Sequence, residues 1–324
     1  MKRKSVFVIL FEGGLIVALC SAVWLGGGLP RRGGITPLMA SAKKGDVAEL
    51  QQLIEKGAGL DELSKYSWTA LMFAAHGGHE QAVNVLLEAG ANPNIESERI
   101  AIATIAPTPK TTALAEAIKN QHLSIANTLM DRGAVVDPAS VALAGGEEDL
   151  SLLKRMHAGG ADINQASDVF YYPSALHMAS RNGLLENVQW LINQGADPNT
   201  ALGAAISGDH PTIVQYLIDS GAEPNLVFGA QGSTPLLWAA TRQPKPADYD
   251  KSLQIINILL AAGADKNYRS EDGYYGNRTA VEFLQDKRAG TVERIEQAPF
   301  GEKEQRTDQA LLEHRDNIVK LLGE

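Results

Sequence analysis

His76 and His79 stand three residues apart, a spacing at which two imidazoles can share one helical face and hold a metal ion. A metal site needs further ligands. No cysteine and no patterned carboxylate accompanies the pair, and His157 and His314 are equally without ligand-spaced partners. Cys20 is the only cysteine, so the chain after it has neither a disulfide framework nor a thiolate zinc site. Asn92, Asp162, Asp197 and Asp265 follow Gly-Ala pairs and read as turn formers, not as acid–base pairs. No phosphate-binding loop, Gly-x-Ser-x-Gly elbow or dinucleotide fingerprint is present. Gly26-Gly27-Gly28 lies in an apolar leader and precedes no suitable helix. These residues assign no catalytic group, no cofactor and no metal, and the expected protein is not an enzyme.

The elements that would carry these side chains recur at a fixed register. Thr36, Thr69, Thr112, Ala139, Ser174 and Thr200 each stand 21 residues before a glycine: Gly57, Gly90, Gly133, Gly160, Gly195 and Gly221. The openings read T36-P-L-M-A, T69-A-L-M-F-A-A, T112-A-L-A-E-A, A139-S-V-A-L-A, S174-A-L-H-M-A and T200-A-L-G-A-A. A seventh copy runs from T234-P-L-L-W-A-A to A262-G-A-D-K-N, with eight extra residues at Gln243–Asp250 read as a loop between its helices. An eighth runs from Thr279 to I318-V-K-L-L-G, split by a charged insertion near Ala289–Thr307. Each copy holds two short apolar-periodic segments. Thr or Ser suits the N-cap, Pro the first helical position, and Gly a C-terminus of positive φ. Neither segment reaches the ~12–15 residues an isolated helix needs in water. A unit is therefore stable only against its neighbours.

The units resemble ankyrin repeats, whose ~33-residue period and T-P-L-H-x-A opening this pattern follows. The resemblance covers about Gly34 to Glu324. It implies an all-α repeat fold: a solenoid of about eight helix pairs with hairpin or loop fingers along one side. It also implies that His79, His122 and His210, each ten residues after its opener, and His177 in the opening motif are structural.

Composition bounds the partners. The net charge is −9, and residues 1–33 hold +4 of it, leaving −13 on residues 34–324. An acidic solenoid is a poor match for a phosphate backbone, so nucleic acid is set aside. Residues 1–33 form a separate leader and linker, with Lys2-Arg3-Lys4 ahead of a mainly apolar run from Ser5 to Leu29. That run is long enough to span ~30 Å of hydrocarbon, and it also has the layout of a secretory signal. Anchor, cleaved signal and a buried helix capping the first unit all remain open. Glu12 and the glycines weigh against the first two, and Leu19 before Cys20 weighs against lipidation. The expectation is membrane contact through residues 5–29 only, with the repeats outside the cytoplasm, in the periplasm if the source is bacterial.

Candidate binding residues lie in the connections. The segment after Gly90 is ten residues longer than the period requires and carries Ile100, Ile102 and Ile105. These form either a partner-binding ridge or a self-packed loop. Aromatic residues also gather there: Tyr66 and Trp68; Phe170, Tyr171 and Tyr172; Phe228; Tyr274 and Tyr275. They read either as interface anchors or as cross-strand packing. The charged stretch Thr291–Thr307 reads first as a solvated loop and second as a cap on the last unit. The expected function is noncatalytic protein binding. The alternative is an immunity or inhibitor protein against a secreted toxin or hydrolase.

Overall fold

The computed structural model describes residues 10–11, 14–15, 34–98, 110–167, 173–228, 232–270, 275–297 and 302–323. Two two-residue strands, Leu10–Phe11 and Gly14–Leu15, pair antiparallel. Helices α1 (Pro37–Lys44) and α2 (Val47–Glu55) form unit 1, and α3 (Ala70–His76) and α4 (Glu80–Glu88) form unit 2. Units 3 and 4 hold α5 (Ala113–Lys119) with α6 (Leu123–Asp131) and α7 (Pro138–Gly145) with α8 (Ser151–Ala158). Units 5 and 6 hold α9 (Ala175–Asn182) with α10 (Leu185–Asn193) and α11 (Leu202–Ser207) with α12 (Pro211–Asp219). Units 7 and 8 hold α13 (Pro235–Thr241) with α14 (Tyr249–Ala261) and α15 (Ala280–Gln297) with α16 (Glu302–Gly323).

The helices are short because both ends are specified. Thr69 Oγ1 accepts the Met72 N–H at 3.2 Å, and Thr36, Thr112, Ser174 and Thr234 cap their first helices in the same way. The second helices of units 1–7 each stop just before a glycine of positive φ, as at Gly195 (φ 86°). Two openers differ from the sequence register. In unit 4 the cap is Asp137, not Ala139; its carboxylate takes the Ser140 N–H at 2.9 Å, and the turn from Gly146 to Leu150 is correspondingly longer. In unit 6 Thr200 closes a short 3-10 turn, Pro198–Thr200, and α11 starts after Ala201 without a side-chain cap.

Leu86, Leu129, Leu191, Leu217 and Leu259 sit four residues before the closing glycines and are fully buried. Burying each such side chain contributes about 1.5–3 kcal/mol. Leu53 holds the same position in unit 1 but is only half-buried, because its helix has a described neighbour on one side only. The first helices pack against one another more extensively than the second helices do. The stack therefore curves with its first helices on the concave side.

Both lengthened units depart from expectation. The extra residues of unit 7 are not all loop: Pro246–Asp248 forms a 3-10 turn and α14 begins at Tyr249. In unit 8 the charged stretch is largely helical, extending α15 to Gln297 and starting α16 at Glu302, so a solvated loop there is incorrect. The run T291-V-E-R-I-E-Q is made mostly of residues a helix accommodates, and Pro299 is the first that it cannot. Among the described residues, no helix is long and apolar enough to cross a membrane. The leader's apolar run, read as anchor or signal, lies almost wholly outside the described residues.

Candidate protein-binding face

The fingers are hairpins closed by one repeated device. Ser64 N–H donates to the Trp68 carbonyl at 3.0 Å, and Ser64 Oγ accepts the N–H groups of Tyr66 and Trp68. Ser97 N–H donates to Thr111 O at 2.8 Å, and Ser97 Oγ accepts the Thr111 N–H. Ser167 with Pro173, and Phe228 with Ser233, close the corresponding connections before units 5 and 7. In each case the residue just ahead of the opener accepts the bond, so a finger leaves the stack at a fixed point whatever its length. The extra residues after Gly90 therefore lie beyond the Ser97–Thr111 closure.

Fingers are also tied from unit to unit. Asn94 Nδ2 donates to Gly133 O and Asn94 Oδ1 accepts the Val135 N–H; Asn225 does the same with Gly263 and Asp265. Asn92, Asp162, Asp197 and Asp265 each accept the N–H two residues on, the turn-forming role their type implies.

The histidines divide by register. His79 Nε2 bonds to Lys43 O and His210 Nε2 to Arg181 O, both at 3.0 Å, joining each unit to the one before. The His122 ring lies against Gly78, where an added Cβ would come within 3.0 Å of it. Burial, with the Arg181 charge beside it, holds His177 below its ordinary pKa. His76 differs. Its Nδ1 lies 2.9 Å from Glu116 Oε2 and 3.1 Å from Asn120 Nδ2, while Thr111 Oγ1 donates to Glu116 Oε1 at 2.8 Å. Glu116 is buried and His76 is half-exposed. The sequence separation of 40 hid this pair, although the repeat register could have revealed it: His76 ends one first helix and Glu116 lies mid-way along the next. Among the described residues no group of three or more His, Cys, Asp and Glu side chains is placed to hold a metal ion.

The aromatic candidates separate in the same way. Tyr66 at a finger tip is 48% exposed, with the Lys65 ammonium 4.7 Å from its ring centroid. Trp68 is half-buried, 5.1 Å from Phe73 and 5.3 Å from the His76 ring. Phe228 is half-buried, its ring next to Gly203. Tyr275 must be withdrawn from the binding candidates: it is 1% exposed, edge-on to Phe283, with its hydroxyl near Thr241 Oγ1. It packs there because its place four residues before Thr279 sets its ring between Thr241 of α13 and Phe283 of α15. Ile100, Ile102, Ile105, Phe170, Tyr171, Tyr172 and Tyr274 lie outside the described residues. Val135 (66% exposed) and Val227 (50%) are bare apolar finger residues that sequence reading did not single out.

A family model described as ankyrin repeats matches three stretches, residues 16–97, 141–228 and 176–270. The chain belongs to the ankyrin repeat family. Among solved structures it is similar to the human ASB11 ankyrin repeat domain, with TM-score 0.54 and 22% identity over 71% of this chain and 99% of that one, a likeness in fold. Curated relatives include a Bos taurus mitochondrial disaggregase, 28% identical over 42% of this chain and 20% of its own. A Dirofilaria immitis L-asparaginase is 29% identical over 50% of this chain and 26% of its own. The ankyrin repeat, SAM and basic leucine zipper domain-containing protein 1 of Colobus guereza is 33% identical over 28% of this chain and 18% of its own. This chain spans about a quarter or less of the length of these relatives. Their names share no activity, and what they share with this chain is the repeat.

Proposed function

We propose that this ankyrin repeat chain is a noncatalytic scaffold that binds another protein along its fingers and first helices. One observation carries the reading: Tyr66 stands in water on a hairpin whose base is closed by buried Ser64, Val227 is exposed beside the Phe228–Ser233 bridge, and Val135 is exposed in the short connection tied to Asn94. Exposed apolar and aromatic groups on a rigid frame suit recognition, since little ordering entropy remains to be lost. The repeats act on the far side of a membrane, a placement supported by Lys2-Arg3-Lys4 ahead of the apolar run Ser5–Leu29. There a secreted toxin or hydrolase is one class of protein such a scaffold can neutralise.

Photo-crosslinking tests the face. A benzophenone side chain at Tyr66 or Val227 of the full chain captures a protein, while the same group at Gln52, on the outer helix α2, does not. Capture from Gln52 alone would move the function to the convex side. A reporter active only outside the cytoplasm, fused at Gly34, tests the location; an inactive fusion excludes it.

A further inference from the structure

The basic residues of units 1–3 follow the concave face. Lys43 and Lys44 end α1, His76 ends α3 and Lys119 ends α5, and all four are exposed. A cation in a helix's last turn also complements the helix dipole. The dipole alone would place cations at the second helices too. It does so at Lys56 and Arg132, the C-caps of α2 and α6, at Arg155 and His157 in α8 and at Lys320 in α16, whereas α4, α10, α12 and α14 have none in the last turn. What sets Lys43, Lys44 and Lys119 apart is that they stand together on the first-helix face. Lys43, Lys44 and Lys119 make no ion pair among the described residues, and Lys65 adds a fourth ammonium beside Tyr66.

Most nearby carboxylates are already engaged. Asp46 caps α2, Asp61 accepts the Asn92 N–H, Glu96 holds Lys110, and Glu116 is closed by His76 and Thr111. Glu62 alone among the acids named here has no such partner. The basic stretch ends at unit 4, where α7 has no basic residue in its last turn and Glu147, Glu148 and Asp149 follow it. Exposed Ile35, Leu63 and Tyr66, with half-buried Trp68, gather at the same end of the stack.

We propose that the concave face of units 1–3 binds a short, extended, acidic segment of another protein. Its carboxylates meet Lys43, Lys44 and Lys119, and an apolar side chain lies against Tyr66 and Trp68. This rests on the protein-binding reading and gives the partner a chemistry. Neighbouring helices lie ~8–10 Å apart, so two steps of the stack span about 20 Å, or about six residues of extended chain. A flat bilayer cannot reach into a concave face, and about six residues of extended acidic chain bring far fewer negative charges to a body of charge −13 than the continuous phosphates of a nucleic acid would.

The test is selection of 12-residue peptides from a displayed random library on the full chain. The expected binders are net acidic with at least one large apolar residue. They lose about tenfold or more in affinity on K43E/K44E/K119E, and weaken as salt rises from 50 to 500 mM. Reversal of an outer charge, K154E, leaves them unchanged. Binders without acidic bias, or indifferent to the triple reversal, overturn the proposal while leaving protein binding intact. Failure to select any binder overturns both. Binding of phosphatidylglycerol vesicles that the triple variant abolishes, with no acidic peptide selected, replaces the protein segment with a lipid surface.

Discussion

Units 1–3 and units 6–8 share one frame and use their polar groups in opposite ways. At the first end, Lys43, Lys44 and Lys119 make no ion pair among the described residues and Tyr66 is in water. At the other end the charges are spent internally. Arg242, at the C-cap of α13, makes a bidentate pair with Asp209, both nearly buried. Arg288 holds Asp316 at 2.7 Å, and Arg315 Nη1 donates to Lys287 O and Thr291 Oγ1. Aromatic rings there face inward: Tyr275 meets Phe283, and His314 stacks on Tyr249 at 4.1 Å with the planes 5° apart. A solenoid must stop somewhere without exposing a unit-to-unit interface. The long α15 and α16 pack over α13 and α14, while the opposite end leaves Lys43, Lys44, Lys119 and Tyr66 exposed.

The largest expected effect comes from opening the closed end. Arg242→Ala leaves the Asp209 carboxylate nearly buried without its cation, which costs about 3–5 kcal/mol. Urea denaturation should show that loss, and hydrogen exchange should place it in units 6–8. The double change Arg242→Met with Asp209→Asn should recover most of it. If the single variant loses less than about 1 kcal/mol, the pair is not what holds unit 7 to unit 6.

Acid should act on the same end. Burial first, then the Arg242 and Arg315 charges, lower the His314 pKa to about 4 against the opposing pull of Asp209 and Asp250. The unfolded imidazole titrates near 6.5. Between about pH 6.5 and 4 the unfolded chain therefore binds more protons, and stability falls as the medium is acidified. The contribution is whole above pH 6.5 and is lost by pH 4. His314→Phe keeps a ring against Tyr249 and should flatten that part of the profile. Exchange protection should fall first in α16, the helix that carries His314.

Between the two ends the scale of effects shrinks. Ser64→Ala removes the acceptor of two N–H groups at a buried finger base and should cost about 1–2 kcal/mol. Thr69→Ala should cost about 1 kcal/mol as a lost N-cap. Thr200→Ala should cost much less, because its hydroxyl donates to Asp197 O instead of capping α11. Equal losses at Thr69 and Thr200 would restore the sequence register over the structural one.

This contrast shows what the sequence made legible. A capping residue and a glycine 21 apart specify both ends of a helix pair, and in units 1, 2, 3 and 5 the pair appears where the spacing places it. The register failed where a different residue does the same job. Asp137 caps as well as Thr does, but a longer inner turn moves it two places from the expected slot. Continuity of α15 through Gln297 was hidden because charge suggests solvent, although Glu, Gln and Arg are also good helix formers. The binding face was less legible still. Tyr66 and Tyr275 are both tyrosines in connections, and only packing separates the exposed one from the buried one. His76 and Glu116 meet across two units, a distance no local pattern reports.

The smallest expected change in stability belongs to Tyr66, the anchor proposed for recognition. Tyr66 makes its backbone bond to Ser64 Oγ through N–H, which any residue except proline retains. Its ring is half in water, and its side-chain contact is the Lys65 ammonium. Tyr66→Ala should therefore alter the unfolding free energy by less than about 0.5 kcal/mol, as surface substitutions usually do. An aromatic anchor in an interface typically contributes about 2 kcal/mol or more to binding. Captured partner should fall about thirtyfold in affinity with the fold unchanged. Tyr275→Ala should reverse the pattern, losing about 3–5 kcal/mol of stability through a buried cavity. If Tyr66→Ala destabilises the chain as much as Tyr275→Ala does, the finger tip is part of the core, and the distinction between the open end and the closed end fails.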